Sequence, residues 1–398
     1  MQKDQYHTYW FIIPVLCFAA ILGIMAIDLN APSLPWIARS LHASPYLVRL
    51  TVPFNSYGVA VGAFIFGALL DAFGRKKPII MAMIAYIIIS LLCALSPTIH
   101  ILLLLRFTQG FCLASMFVGY RAIVADVYGP VNKVHHAMAT IGMFVSMSPI
   151  FAPSIGGYLQ HIFGWQANFI FLAIYGFLVV CALSILPETH WQRTPIRHQQ
   201  ISKRYIKILA TPRFWLGIMF MCVGTIVVSF AIIGSFLIQD VLGYSAIVFG
   251  HTALCLGILC FIGSYVYRLL LRHFALAKIL IFNTLAAIVT AIIFVMLATQ
   301  WKINYWTITL PVAAIFFFIS CAGIYQVGTG ICTSLFPEMA GTVGAVSAII
   351  FLLISSVIIS IASFLKAHTA TPLAMLYLIV LITLFILTLV FRDHLQKN

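Results

Sequence analysis

Two charged residues lie inside apolar runs of this sequence, and their chemistry raises the first functional question. Asp28 falls within the run that begins near Trp10, and Arg106 within the run spanning 101–125. A charge at bilayer depth costs roughly 2.5–3.5 kcal/mol on insertion scales, so such a residue is a functional candidate by default. The other seven acids, Asp4, Asp71, Asp126, Glu188, Asp240, Glu338 and Asp393, fall in tails, turns or run ends. Asp28 and Arg106 each sit about one turn inside the same end of their runs. At about 1.5 Å of rise per residue their side chains share a similar depth. A carboxyl so placed can take up a proton or hold a cationic ligand, and a nearby guanidinium favours its charged form. In the other reading Asp28 caps or braces the end of its helix, beside Pro32 and Pro35.

A second concentration of charge is GALLDAFGRKKP, Gly67 to Pro78. Gly67 suits close approach of neighbouring backbones. Gly74 suits a tight turn. Asp71 can hydrogen-bond a helix N-terminus, where negative charge is favoured. Arg75 can pair with a carboxylate. Lys76 and Lys77 read as a solvated basic turn.

The elements that position these residues follow from composition. The chain is 63% hydrophobic and 8% charged, where a soluble domain carries about 25% charged residues. Lipid is therefore its solvent. Crossing about 30 Å of hydrocarbon takes about 20 apolar residues. Charges, prolines and polar clusters cut the sequence into twelve such segments: 9–31, 48–70, 78–96, 101–125, 136–159, 166–186, 214–237, 246–267, 276–299, 304–328, 341–365 and 373–391. The first follows Lys3 like a signal peptide. It runs long for one and lacks a clear small-x-small cleavage site, so it reads as a retained helix.

The polar stretch 187–213 divides the segments into six and six, the pattern of a duplicated transporter. The expected organisation is a bundle over 1–190, a central cytoplasmic loop over 191–213 and a second bundle over 214–398. With the N-terminus inside, sixteen Lys and Arg fall on the inner side and four, Arg39, Arg49, Lys302 and Lys366, on the outer. The positive-inside rule then places both termini in the cytoplasm. The net charge of +14 reflects that asymmetry rather than a nucleic-acid surface.

Other chemistries find no support in the sequence. The nine cysteines lie mostly in apolar runs and read as small buried hydrophobes. The twelve histidines form no HExxH, no GxxxxGK[ST] loop is present, and no catalytic constellation is seen. No metal, cofactor or enzymatic activity is expected.

The Gly67–Pro78 stretch resembles the G-x-L-a-D-r-x-G-r-K turn of the major facilitator superfamily, and it falls after segment two, as in that family. RFTQG (Arg106–Gly110) resembles the R-x-x-Q-G signature of helix four. SPIFAPSIGG (Ser148–Gly157) resembles the helix-five signature of the family's antiporters. LPET (Leu186–Thr189) ends segment six as in the twelve-helix drug:proton branch. IDLNAPSLP (Ile27–Pro35) and AGTVGA (Ala340–Ala345) are similar to signatures of the Bcr/CflA subgroup.

This resemblance implies an all-α integral membrane protein of twelve transmembrane helices in two six-helix bundles. The implied protein is a monomer in a bacterial inner membrane, whose partners are lipid, protons and a small-molecule substrate. The expected activity is proton-coupled efflux of amphiphilic compounds, multidrug-type. The alternative is export of an endogenous metabolite such as a siderophore or amino acid. The resemblance makes Gly67, Asp71, Gly74, Arg75 and Asp126 a conformational latch. Asp71 would face the start of helix eleven, and Arg75 would pair with Asp126. The second half carries a decayed copy, with Gly263 kept but Tyr267 and Leu270 in place of the acid and second glycine.

Helices one and four line the cavity in the family, so Asp28 and Arg106 are expected to face each other or share a water-filled pocket, as the coupling pair. Pro149, Pro153, Gly156 and Gly157 either kink helix five or pack it against the second half and limit leak. Met116, Tyr120, Phe230, Tyr325 and Gln326 are candidate cavity contacts. Arg121 snorkels or joins the latch. Arg49, Asn30 and Ala125 depart from the family pattern, the first two near the outer mouth, which leaves the cargo open.

Overall fold

The computed structural model describes residues 11–128, 131–189, 206–274, 276–300, 306–336, 340–364 and 371–390. Most of the expected central loop, 191–205, lies outside the described residues, as does Glu338. The described chain is helical, with no strand among the described residues. Among the described residues nine helices are long and apolar enough to cross a membrane, and three shorter apolar stretches complete the twelve.

The first six helices are α1 (Ile12–Ser40), α2 (Pro45–Phe73), α3 (Lys76–Ala94), α4 (Ile99–Tyr128), α5 (Val131–Phe163) and α6 (Gln166–Ile185). The second six are α7 (Pro212–Val241), α8 (Ala246–Leu270), α9 (Leu276–Gln300), α10 (Trp306–Ser334), α11 (Ala340–Ala362) and α12 (Thr371–Val390). The chain divides into two compact units, Met1–Ile206 and Lys207–Asn398.

In the first unit α2 packs most extensively against α4, and α3 against α6. A methyl group on Gly110 of α4 would lie 1.9 Å from the Asn55 carbonyl of α2. Only glycine permits that backbone approach. Asn55 also donates from Nδ2 to the Arg106 carbonyl at 3.1 Å, so the same turn of α4 is held by contact and by hydrogen bond. Gly67 plays no such part. A methyl there would meet no described residue within 4 Å, so no close approach at that position is seen within the first unit.

Two helices depart from the expected spans. α1 does not stop at residue 31. It passes through a 3-10 turn at Ala31–Ser33 and continues to Ser40. Pro32 and Pro35 stand in the first turns of these successive pieces, where their missing N–H groups are not needed.

α7 is not a uniform helix. Its first piece ends at Met221, and the chain is π-helical over Phe230–Gly234 and Leu237–Val241. The β-branched residues Thr225 to Val228 precede this stretch and fit a helix poorly. The hydroxyls of Ser229 and Ser235 donate to the carbonyls of Ile226 and Ile232, competing with the regular ladder. The core of the second unit lies beside this helix, around Phe220, Phe317, Phe318, Ile324 and Leu381. Tyr377 of α12 donates to the Ile226 carbonyl at 3.3 Å.

Candidate functional site

The α2–α3 turn is short because Gly74 adopts φ +90°, a left-handed conformation that side chains with a Cβ resist. The turn carries Arg75 back toward α4 and α6. Arg75 donates from Nη1 to Asp71 Oδ1 at 2.5 Å and from Nε to Asp126 Oδ2 at 2.8 Å. One guanidinium thus joins the end of α2 to the end of α4. Burial alone would lower the Arg75 pKa, but the hydrogen bonds and charges of Asp126 and Asp71 hold it above its ordinary value. Thr189 adds a longer contact to Asp126 Oδ2, 3.4 Å.

The N-terminus of α3 is capped by Glu188, not by Asp71. Glu188 accepts from the backbone N–H of Arg75 at 2.9 Å and of Lys76 at 3.1 Å. A carboxylate there satisfies two orphan donors and complements the helix dipole. Asp71 cannot serve, because it lies in the last turn of α2 and is engaged by the guanidinium four residues on. Lys76 is not a merely solvated base. Its ammonium donates to the Ser184 and Leu186 carbonyls at 2.6 and 2.7 Å, where the end of α6 has unpaired acceptors.

Arg106 is 1% exposed. Its guanidinium donates to the Ala26 carbonyl from Nη1 and Nη2 at 3.3 and 3.2 Å, to the Thr51 carbonyl from Nε at 3.3 Å, and to Gln109 Oε1 at 2.6 Å. Gln109 in turn donates to Ser90 Oγ at 2.8 Å, and Ser90 to the Tyr86 carbonyl at 2.7 Å. The Phe169 ring of α6 lies 5.8 Å from the guanidinium. Arg106 therefore ties α1, α2 and α3 to α4. No carboxylate among the described residues is within ion-pair distance of it.

This corrects the expected pairing. Asp28 is half-buried, and its side chain has no hydrogen bond or ion pair to any described residue. Arg106 reaches the carbonyl two residues earlier on the same helix instead. Its donors are taken by oxygens that α1, α2 and Gln109 present at closer range. Nor does Asp28 cap a helix, since the two helical pieces that follow it start at Asn30 and Ser33 without a side-chain cap.

α5 runs unbroken through Pro149 and Pro153. A methyl on Gly156 would lie 1.9 Å from the Leu29 carbonyl and 3.2 Å from Pro32. Gly156 thus seats α5 closely on α1 within its own bundle. Gly157 is buried as well.

Of the candidate contacts, Met116 and Tyr120 are buried, and Tyr120 is stacked by Arg121 at 4.6 Å. Arg121 also donates to the Phe117 carbonyl, so it stays on its own helix and apart from the Arg75 cluster. In the second unit Phe230 stacks on Phe249 with centroids 6.2 Å apart, and Tyr325 meets Phe351 edge-on at 5.6 Å. Gln326 Nε2 donates to Ser264 Oγ at 3.4 Å. Tyr267 and Leu270 stand where the first unit has its acid and glycine, and α8 continues through both.

Sequence reasoning missed Glu188, Gln109 and Ser90 as members of these networks. Glu188 and Gln109 were inside quoted signatures, LPET and RFTQG, so the signal was present without its partner. Ser90 has no local sequence signal.

The apolar helices and the buried cations tied to backbone carbonyls are those of a multi-pass membrane protein. The profile of the Major Facilitator Superfamily matches residues 16–363, and the chain belongs to that family. The chain is 26% identical over 378 residues to a bicyclomycin resistance protein homolog of Haemophilus influenzae, covering 93% of each chain. It is 23% identical over 340 residues to multidrug resistance protein D of Escherichia coli, covering 83% of each. Among solved structures, a D-xylose-proton symporter superposes with a TM-score of 0.76 over 94% of this chain and 96% of its own. At 12% identity it shares the fold alone.

Proposed function

We propose that the protein exports small amphiphilic compounds from the cytoplasm in exchange for protons, by alternating access of residues 1–190 against 214–398. The observation that carries this reading is Asp28, an acid inside a membrane span whose side chain has no partner among the described residues and so is free to exchange a proton. The names of the relatives supply the cargo class, toxic drug-like molecules. Arg106 serves in this reading as a fixed cation that shapes the Asp28 turn through the Ala26 carbonyl. Asp71, Arg75 and Asp126 act as the latch of the outward-open state, with Glu188 holding the turn that carries Arg75. The excess of Lys and Arg in alternate loops supports cytoplasmic termini in a bacterial inner membrane.

The test uses energised inside-out vesicles carrying a pH-sensitive dye. Lipophilic cations, neutral antibiotics and siderophore-like chelators are added to wild type and Asp28→Asn. Collapse of the proton gradient by one class with wild type alone is the expected result. Collapse by the same class in both variants removes Asp28 as the proton carrier. Response to chelators alone favours the endogenous-metabolite reading, and no response to any class overturns drug antiport.

A further inference from the structure

One end of the first bundle buries more polar atoms than its protein partners satisfy. Where α1 turns at Asn30–Ser33, α5 ends and α6 begins, four side chains are each at most 5% exposed: Asn30, Gln160, Trp165 and Asn168. Asn168 Nδ2 is engaged, donating to Ser33 Oγ at 2.7 Å and the Leu29 carbonyl at 3.2 Å. Its Oδ1, both amide atoms of Asn30, Gln160 Oε1 and Trp165 Nε1 have no hydrogen-bond partner among the described residues.

The four belong to one neighbourhood. Gly156 lies against Leu29 and Pro32, and Gln160 follows it by one helical turn on the same face of α5. Trp165 lies edge-on to Phe169 with centroids 6.0 Å apart, one turn from Asn168 on α6. Asn30 follows Leu29 directly.

Buried polar atoms are nearly always hydrogen-bonded, to protein or to ordered water. Five such orphans on neighbouring turns, of both donor and acceptor type, call for a small partner that can both give and take hydrogen bonds, as water does. We propose that Asn30, Gln160, Trp165 and Asn168 hold a cluster of ordered waters. The cluster runs from the α5–α6 end to the turn bearing Asp28 and gives protons access to that carboxyl from that end. The access role rests on the proposed proton exchange at Asp28, whereas the waters do not.

X-ray radiolytic hydroxyl labelling of the whole protein in lipid, read by mass spectrometry with an H2¹⁸O pulse, tests the waters without any transport. Trp165 is expected to label as strongly as half-exposed Trp36 and to take up ¹⁸O slowly. Gln160→Leu and Asn168→Leu should each reduce Trp165 labelling and leave Trp36 unchanged, with thermal unfolding checked for each variant. Asp28→Asn should leave Trp165 labelling as in wild type, so a failure of the Asp28 reading shows separately in the vesicle assay. An unlabelled Trp165, or labelling indifferent to both leucine variants, overturns the water cluster. In vesicles, Gln160→Leu should slow substrate-driven proton flux at unchanged substrate KM. Unchanged flux in a variant whose labelling has fallen overturns the access role.

Discussion

The α2–α3 turn makes a double substitution informative. Gly74 holds φ +90°, and a methyl group there would lie 2.7 Å from Glu188 Oε2. Gly74→Ala therefore acts twice. The left-handed backbone costs about 1–2 kcal/mol with a Cβ. The clash displaces Glu188 from the α3 N-terminus, and hydrogen bonds to a charged group contribute about 1.5–3 kcal/mol. The single variant should lose about 2.5–5 kcal/mol in total, from those two contributions. Glu188→Ala removes the cap alone and should lose about 2 kcal/mol. In the double variant the cap is lost only once, so it should be no less stable than Gly74→Ala. The coupling is then about 2 kcal/mol, well beyond the ~0.5 kcal/mol within which independent sites add. Reversible unfolding in mixed micelles, followed by circular dichroism for all four proteins, measures it. Additive losses would falsify the claim that the Gly74 position exists to admit the Glu188 carboxylate.

Three further outcomes follow from the same geometry. Arg106→Lys keeps the charge but not the planar fork that reaches Ala26, Thr51 and Gln109 together, so it should destabilise by about 2–3 kcal/mol and slow transport; full stability in chemical unfolding would contradict the tie. Gly110→Ala places a methyl 1.9 Å from the Asn55 carbonyl. It should force α2 from α4 at a cost of about 3 kcal/mol or more, read as loss of folded yield on size-exclusion chromatography. Asp28→Asn breaks no contact with a described residue, so its unfolding midpoint should match wild type within about 0.5 kcal/mol even while coupled transport is lost; a large stability change would show that Asp28 braces the fold.

The helices were legible because lipid demands long apolar runs, and the twelve segments reappear with ends shifted by a few residues. α1 outran its expected end because prolines were read as terminators, whereas Pro32 and Pro35 occupy first-turn positions that tolerate them. The winding of α7 was hidden, since hydropathy reports burial and not hydrogen-bond register. At the α2–α3 turn, the pairing of Arg75 with Asp126 follows from the resemblance and is seen at 2.8 Å, while the cap by Glu188 joins residues 113 apart in sequence and no local pattern could reveal it. Arg106 is legible in the sequence as an intramembrane cation, but the oxygens it bonds are not. Side chains are visible in a sequence, whereas the backbone carbonyl of Ala26 is offered by every residue type alike.

The π-helical winding of α7 has a geometric consequence. Each π turn stores one residue more than an α turn, and one residue of an α-helix corresponds to about 100° of rotation. If the turn at Phe230–Gly234 released its surplus residue, everything beyond it, including buried Gln239 and exposed Asp240, would swing through that angle while the helix stayed intact. The second half thus carries an angular reserve: it can re-aim a polar face by rewinding, with no hinge, no broken strand of contacts along the rest of the helix, and little change in length.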